Sequence, residues 1–249
     1  TVTAVNDAPV ASAGTVTTSE DTDYSGTLSA SDVDGDALTY SVLTSPSNGS
    51  LSITTTNTGT SLSFDGVDDY VSIPATTSLT SLTDGFSVNF WVNLPTIQNN
   101  KEIISAWGNR GLFLITMENG NLNIPLDGPS MGSTISYSLD NYTSQWLNVA
   151  FTFDNTNKKL YFNGTLVAST NDAGGPVYDS GTYNGGAIRF GACNDNCGND
   201  FTQLLLDEVA IWNESLTSSE VTALYNSGYG LSASSNSGDY LSSSNLQGY

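Results

Sequence analysis

Apolar and polar residues alternate along much of the chain. In Phe86-Ser87-Val88-Asn89-Phe90-Trp91-Val92, the residues Phe86, Val88, Phe90 and Val92 share one face, while Asn89 and Trp91 share the other. The run from Trp146 to Phe153 repeats the pattern, with Leu147, Val149, Phe151 and Phe153 pointing one way. Leu160 to Phe162 is followed by Asn163-Gly164, a strong hairpin signal, and then by Leu166-Val167-Ala168. Short β-rich runs of this kind recur between Gly, Asn, Asp and Pro turns, and helical periodicity is almost absent, so the predicted fold class is all-β. One short helix is predicted over Thr217 to Tyr225, with Thr217 as its cap and Glu220 three residues on, as in a capping box.

Composition divides the pattern. The Thr-rich stretch Thr54 to Gly59 joins two patterned regions, which puts a small β domain at 1–58 and a large one at 59–230. From 231 to 249 the chain is Ser-rich with scattered Leu and Tyr, and reads as a linker or the start of a further module. A chain of 249 residues accommodates such a pairing of one large and one small domain.

Charge and chemistry narrow the function. Five Lys and Arg against 25 Asp and Glu give a net charge of −20, which repels nucleic acid and anionic membranes. The chain has no His, which removes Ser-His-Asp and Cys-His catalysis and His-ligated zinc. Cys193 and Cys197 are too few for a four-thiolate metal site and read as a small loop disulfide, a use that needs an oxidising compartment. No apolar run approaches a membrane span, and Thr1 opens without a basic-apolar leader, so the expectation is a piece of a longer exported protein, secreted or at the cell surface.

In the first segment, Ser31-Asp32-Val33-Asp34-Gly35-Asp36 sets three carboxylates at alternate positions, an arrangement suited either to a hard cation such as calcium or to a solvated turn. Together with Val5-Asn6-Asp7-Ala8-Pro9, Glu20-Asp21-Thr22, Asp36-Ala37-Leu38-Thr39-Tyr40 and Pro46 to Leu51, it resembles the cadherin-like repeats of bacterial surface proteins over residues 5 to 53. The resemblance implies an Ig/cadherin-like sandwich with calcium near a domain junction, and by position nominates Glu20, Asp32, Asp34 and Asp36. Such a domain needs about 100 residues, and its later strands are missing after Ile53.

The large segment opens with Ser63-Phe64-Asp65-Gly66-Val67-Asp68-Asp69-Tyr70-Val71-Ser72-Ile73-Pro74 and closes with Leu206-Asp207-Glu208-Val209-Ala210-Ile211-Trp212-Asn213-Glu214-Ser215-Leu216-Thr217. With the strands Phe86 to Val92, Trp146 to Thr152 and Leu160 to Gly164 in order between them, it resembles the laminin-G-like domain of the concanavalin A-like superfamily. The resemblance implies an antiparallel jelly-roll β-sandwich, often a structural calcium, and binding surfaces on the concave sheet or rim loops. It also implies that the Asp65, Asp68 and Asp69 turn lies close to Asp207.

Parity puts Asp207 on one face with Val209 and Ile211, and Glu208 opposite with Trp212. A core-facing carboxylate is either a metal ligand or an anchor for loop amides, which leaves both roles open for Asp207. The metal candidates are therefore Asp65, Asp69, Asp207, Asp32, Asp34 and Asp36, with calcium as the expected cofactor. A retaining glycosidase needs two carboxyl groups about 5 to 5.5 Å apart, and no same-face pair stands out. Trp91 and Trp107 offer stacking surface for sugar, with Asn89 and Arg110 as polar partners, and Trp146, Tyr161, Asn93 and Arg189 as further possibilities. The sequence thus predicts a non-catalytic, calcium-stabilised adhesion module of a large bacterial protein that binds a glycan or an extracellular protein, flanked by other modules of its own chain. The alternative is an accessory carbohydrate-binding or degenerate hydrolase domain of a polysaccharide-degrading enzyme.

Overall fold

The alternating runs form strands that bury their apolar faces. The computed structural model describes residues 8–12, 14, 15, 17, 19, 30, 31, 33, 61–74, 79, 82, 85–106, 113–126, 134–171, 187–193, 200–228 and 230–248. The chain divides into two units, Thr1–Thr56 and Asn57–Tyr249. In the first, β1 (Val10–Ala11) pairs antiparallel with β2 (Ala30–Ser31).

The second unit is a sandwich of two antiparallel sheets. One contains β12 (Thr165–Asn171), β11 (Asn157–Phe162), β10 (Trp146–Phe153), β5 (Phe86–Asn93), β14 (Gln203–Trp212) and β15 (Leu246–Gly248) in that order, with β3 (Leu62–Asp65) as its seventh strand. The other has six strands, ordered β4 (Val71–Pro74), β13 (Ala187–Phe190), β6 (Lys101–Ala106), β7 (Phe113–Glu118), β8 (Asn121–Ile124) and β9 (Ile135–Ser138). Because β5 occupies one edge of β14, the other edge is shared: β3 pairs with Gln203 to Leu206, and β15 with Ile211 and Trp212.

Between the sheets lies the main core. Phe86 packs against Phe113, Phe151 and Phe153 at ring-centroid distances of 5.3, 5.5 and 6.1 Å, and Val88, Phe90 and Val92 continue the same face. Full burial of each such side chain contributes about 1.5–3 kcal/mol. The β11–β12 hairpin turns at Asn163 and Gly164, whose φ values of 51° and 72° are those a two-residue turn of this hand requires.

A second layer covers part of the outer face of the seven-stranded sheet. The helix α1 (Ser218–Tyr225) has the expected capping box: Glu220 N–H donates to Thr217 Oγ1, and Thr217 N–H donates to Glu220 Oε2. Its residues Val221 and Leu224 join Leu216, Ala233 and Tyr240 over Ala150, Tyr161, Ala210 and Trp212. The Ser-rich stretch expected to be a linker is therefore part of this unit. Tyr240 is fully buried, its hydroxyl accepts from Trp212 Nε1 at 2.9 Å and donates to the Ala233 carbonyl at 2.7 Å.

Candidate functional site

The cover ends partway across the sheet. On the outer face of β5, Ser87 and Asn89 lie beneath the second layer, Trp91 stands at its margin and Asn93 lies beyond it. Asn89 is only 4% exposed and accepts a hydrogen bond from Asn148 Nδ2 at 3.1 Å. It is a buried sheet residue, contrary to its expected role as a ligand contact, because the face that parity marks as outward carries a second layer.

Trp91 stacks on Tyr225 from the end of α1, with ring centroids 5.8 Å apart at 26°. Beyond it the face opens. Trp146 pairs with Asn93 across β10 and β5, Leu205 pairs with Asn93 across β14, and Trp146 is 39% exposed. This makes a strip of indole surface beside amides and a half-buried leucine.

A β-bulge brings two carboxylates into the strip. In β14, Asp207 pairs with Trp91 and Ala210 with Asn89, so Glu208 and Val209 together stand opposite Phe90. Glu208 adopts a φ of 46°, and this reverses the parity expected from the sequence. Leu204 and Leu206 face the main core before the bulge, whereas Val209 and Ile211 do so after it. Asp207 consequently shares the outer face with Trp91 and not the core face with Val209. Its Oδ1 accepts the Glu208 N–H at 2.9 Å and so anchors the bulge. A methyl group built on Gly230 would stand 3.0 Å from Glu208 Oε2 and 3.4 Å from Trp91 Nε1, which places Glu208 beside Trp91 on this same side. Burial pushes the Glu208 carboxyl above its usual range, and the charge of Asp207 raises it further.

The acidic turn lies elsewhere. Ligand oxygens of Asp65, Asp68 and Asp69 lie within 4.8 Å of one another, all three residues exposed. Asp65 Oδ1 accepts the Val67 N–H and Asp69 Oδ2 the Asp65 N–H, which leaves one oxygen of each free. Three hard oxygen donors fit the chemistry of calcium. Asp207 is not in this group: Asp65 pairs with Gln203, four positions along β14, or roughly 13 Å at strand rise.

Next to the turn, Tyr70 packs near Phe201, and the Arg189 guanidinium lies 5.0 Å over the Tyr70 ring. Arg189 donates to the Cys193 carbonyl at 2.9 Å, and Lys101 pairs with Asp200 at 3.0 Å. Cys193 is disulfide-bonded. Cys197, Trp107, Arg110, Glu20, Asp32, Asp34 and Asp36 lie outside the described residues. Tyr225 and Leu205 are the residues here that sequence reasoning missed, since the end of a capped helix and an apolar strand position each give a structural reading only.

A family model described as the concanavalin A-like lectin/glucanases superfamily matches residues 65–222. The chain belongs to the concanavalin A-like lectin/glucanase superfamily. A bacterial Ig domain model matches residues 6–90, running from the first unit into β3, β4 and the start of β5 of the concanavalin A-like sandwich. No curated protein matches the chain. Among solved structures it is similar to the receptor binding domain of botulinum neurotoxin C/D mosaic serotype, at 18% identity and a TM-score of 0.54 over 66% of this chain and 41% of that one. It is also similar to the botulinum neurotoxin serotype G binding domain (19%, TM-score 0.51, 68% and 47%) and to the binding domain of Paraclostridial Mosquitocidal Protein 1 (20%, TM-score 0.51, 64% and 41%). The chain spans under half the length of these structures, and the likeness is one of fold.

Proposed function

We propose that the chain is a non-catalytic recognition and adhesion module of a large secreted or surface bacterial protein, binding a glycan through the strip of Trp91, Trp146, Asn93 and Leu205. The observation that carries this reading is the exposed Trp146 indole on the part of the sheet face that the second layer leaves open. A sugar presents an apolar ring face and a rim of hydroxyls, which suit an indole flanked by amides. The solved structures similar in fold are named as receptor-binding and binding domains, which supports a binding role. Affinity from one or two stacked rings is about 10 μM to 1 mM, so repeated copies would supply avidity. Calcium at Asp65, Asp68 and Asp69 stabilises the unit in this reading, supported by their converging oxygens.

The bulge that puts Asp207 and Glu208 on one face favours a second reading, a degenerate hydrolase domain. Adjacent residues with one carboxylate tied to the other's amide do not flank a glycosidic bond from two sides as acid and nucleophile must. A polysaccharide array tests the first reading: Trp146→Ala is expected to weaken binding about tenfold, or about 1.4 kcal/mol. Steady release of reducing ends from a bound polysaccharide would overturn it in favour of the second.

A further inference from the structure

Among the described residues the strip carries two carboxylates and no counter-charge. Asp207 uses one carboxylate oxygen on the Glu208 amide, and the Glu208 carboxyl accepts no hydrogen bond from a described residue. Described basic residues stand elsewhere: Lys101 and Arg189 on the six-stranded sheet, Lys158 and Lys159 on β11, with Lys159 acting on Asp154.

A protonated amine answers each of these features. It brings three N–H donors, neutralises a carboxylate pair otherwise held together by the backbone, and is attracted to aromatic faces such as those of Trp91 and Tyr225. We propose that the strip selects glycans carrying protonated primary amines, such as de-N-acetylated amino sugars, with Asp207 and Glu208 as the charge-reading residues and Trp146 as the stacking surface. This rests on the glycan reading above and narrows it.

Calorimetry at pH 6 with a tetramer of β-1,4-linked glucosamine and its fully N-acetylated counterpart tests the proposal. The amine form is expected to bind at least about tenfold more tightly, with the advantage shrinking as salt rises from 0.05 to 0.5 M. An Asp207→Asn/Glu208→Gln variant should bring the preference below about twofold, while Trp146→Ala weakens both ligands. Should the double variant fail to fold, the salt titration on the wild-type chain and Glu208→Gln alone decide the matter. Equal binding of both tetramers, or preference for the acetylated one, overturns this proposal and leaves the glycan reading standing. Binding of neither overturns this proposal, and the polysaccharide array then decides the glycan reading.

Discussion

Replacing Tyr240 by Phe removes one oxygen atom and tests whether the C-terminal cover belongs to the domain. The ring fits as before, edge-on to Trp212 at 6.1 Å and 75°. The hydroxyl, however, is the acceptor for Trp212 Nε1 and the donor to the Ala233 carbonyl, and both Trp212 and Tyr240 are fully buried. Without it a buried indole N–H and a buried carbonyl each lose their partner. An unsatisfied buried group costs about 1–3 kcal/mol, and the carbonyl, with a second lone pair, sits at the lower end. The expected loss is about 2–3 kcal/mol, which for a domain of this size lowers Tm by roughly 4–12 °C at about 2–4 °C per kcal/mol. Tyr240→Ala adds a cavity and should cost more, about 3–5 kcal/mol in all. Thermal and urea unfolding followed by tryptophan fluorescence measure both. A Tyr240→Phe midpoint within 1 °C of wild type would refute the reasoning, since a residue in a solvated linker tolerates such a change within about 0.5 kcal/mol.

Gly191→Ala should destabilise the sandwich by more than about 2 kcal/mol, because the added carbon would collide with the Phe64 ring at a φ of 75°; urea unfolding reads this directly. Burial pushes the Glu220 carboxyl up, but hydrogen bonds from Ser242, Thr217 and the Leu241 amide together outweigh it and hold the group below its ordinary value of 4.5. Glu220 therefore stabilises the fold fully above that ordinary value and loses its contribution as pH falls through its lowered one, so Glu220→Gln is expected to flatten the stability profile between neutral and acid pH. In the calcium reading, exhaustive chelation lowers Tm by an amount worth about 2.7 kcal/mol at a hundredfold excess over Kd, and Asp69→Asn abolishes the difference; identical melting curves with and without chelator would remove calcium from the picture.

Much of the sandwich was legible because its signals are local. The period-two runs at Phe86 and Trp146, the Asn163-Gly164 turn and the Thr217–Glu220 capping box each specify a conformation within a few residues, and each forms. The site was less legible. Asp207-Glu208-Val209-Ala210 alternates smoothly, and a bulge centred on a glutamate carries no glycine to announce it, so parity assigned Asp207 to the wrong face. The cover was hidden for another reason: Ala233, Tyr240 and Leu246 are too widely spaced to show a period, and each finds its place through docking onto a distant sheet. That same docking turns Asn89 from an outward residue into a buried one.

The shared edge of β14 has a mechanical consequence. Leu62 pairs with Leu206 and Gly248 with Ile211, five positions apart on one strand, or roughly 15 Å at strand rise. A pull applied at these two points loads the two short pairings, four residues in β3 and two in β15, before it reaches the eight-residue registers between β5 and β10. Under tension β15 is expected to yield first and the cover to follow it, baring Trp212 while the aromatic core stays closed. The outer face proposed to recognise ligand is the one that such stretching would remodel.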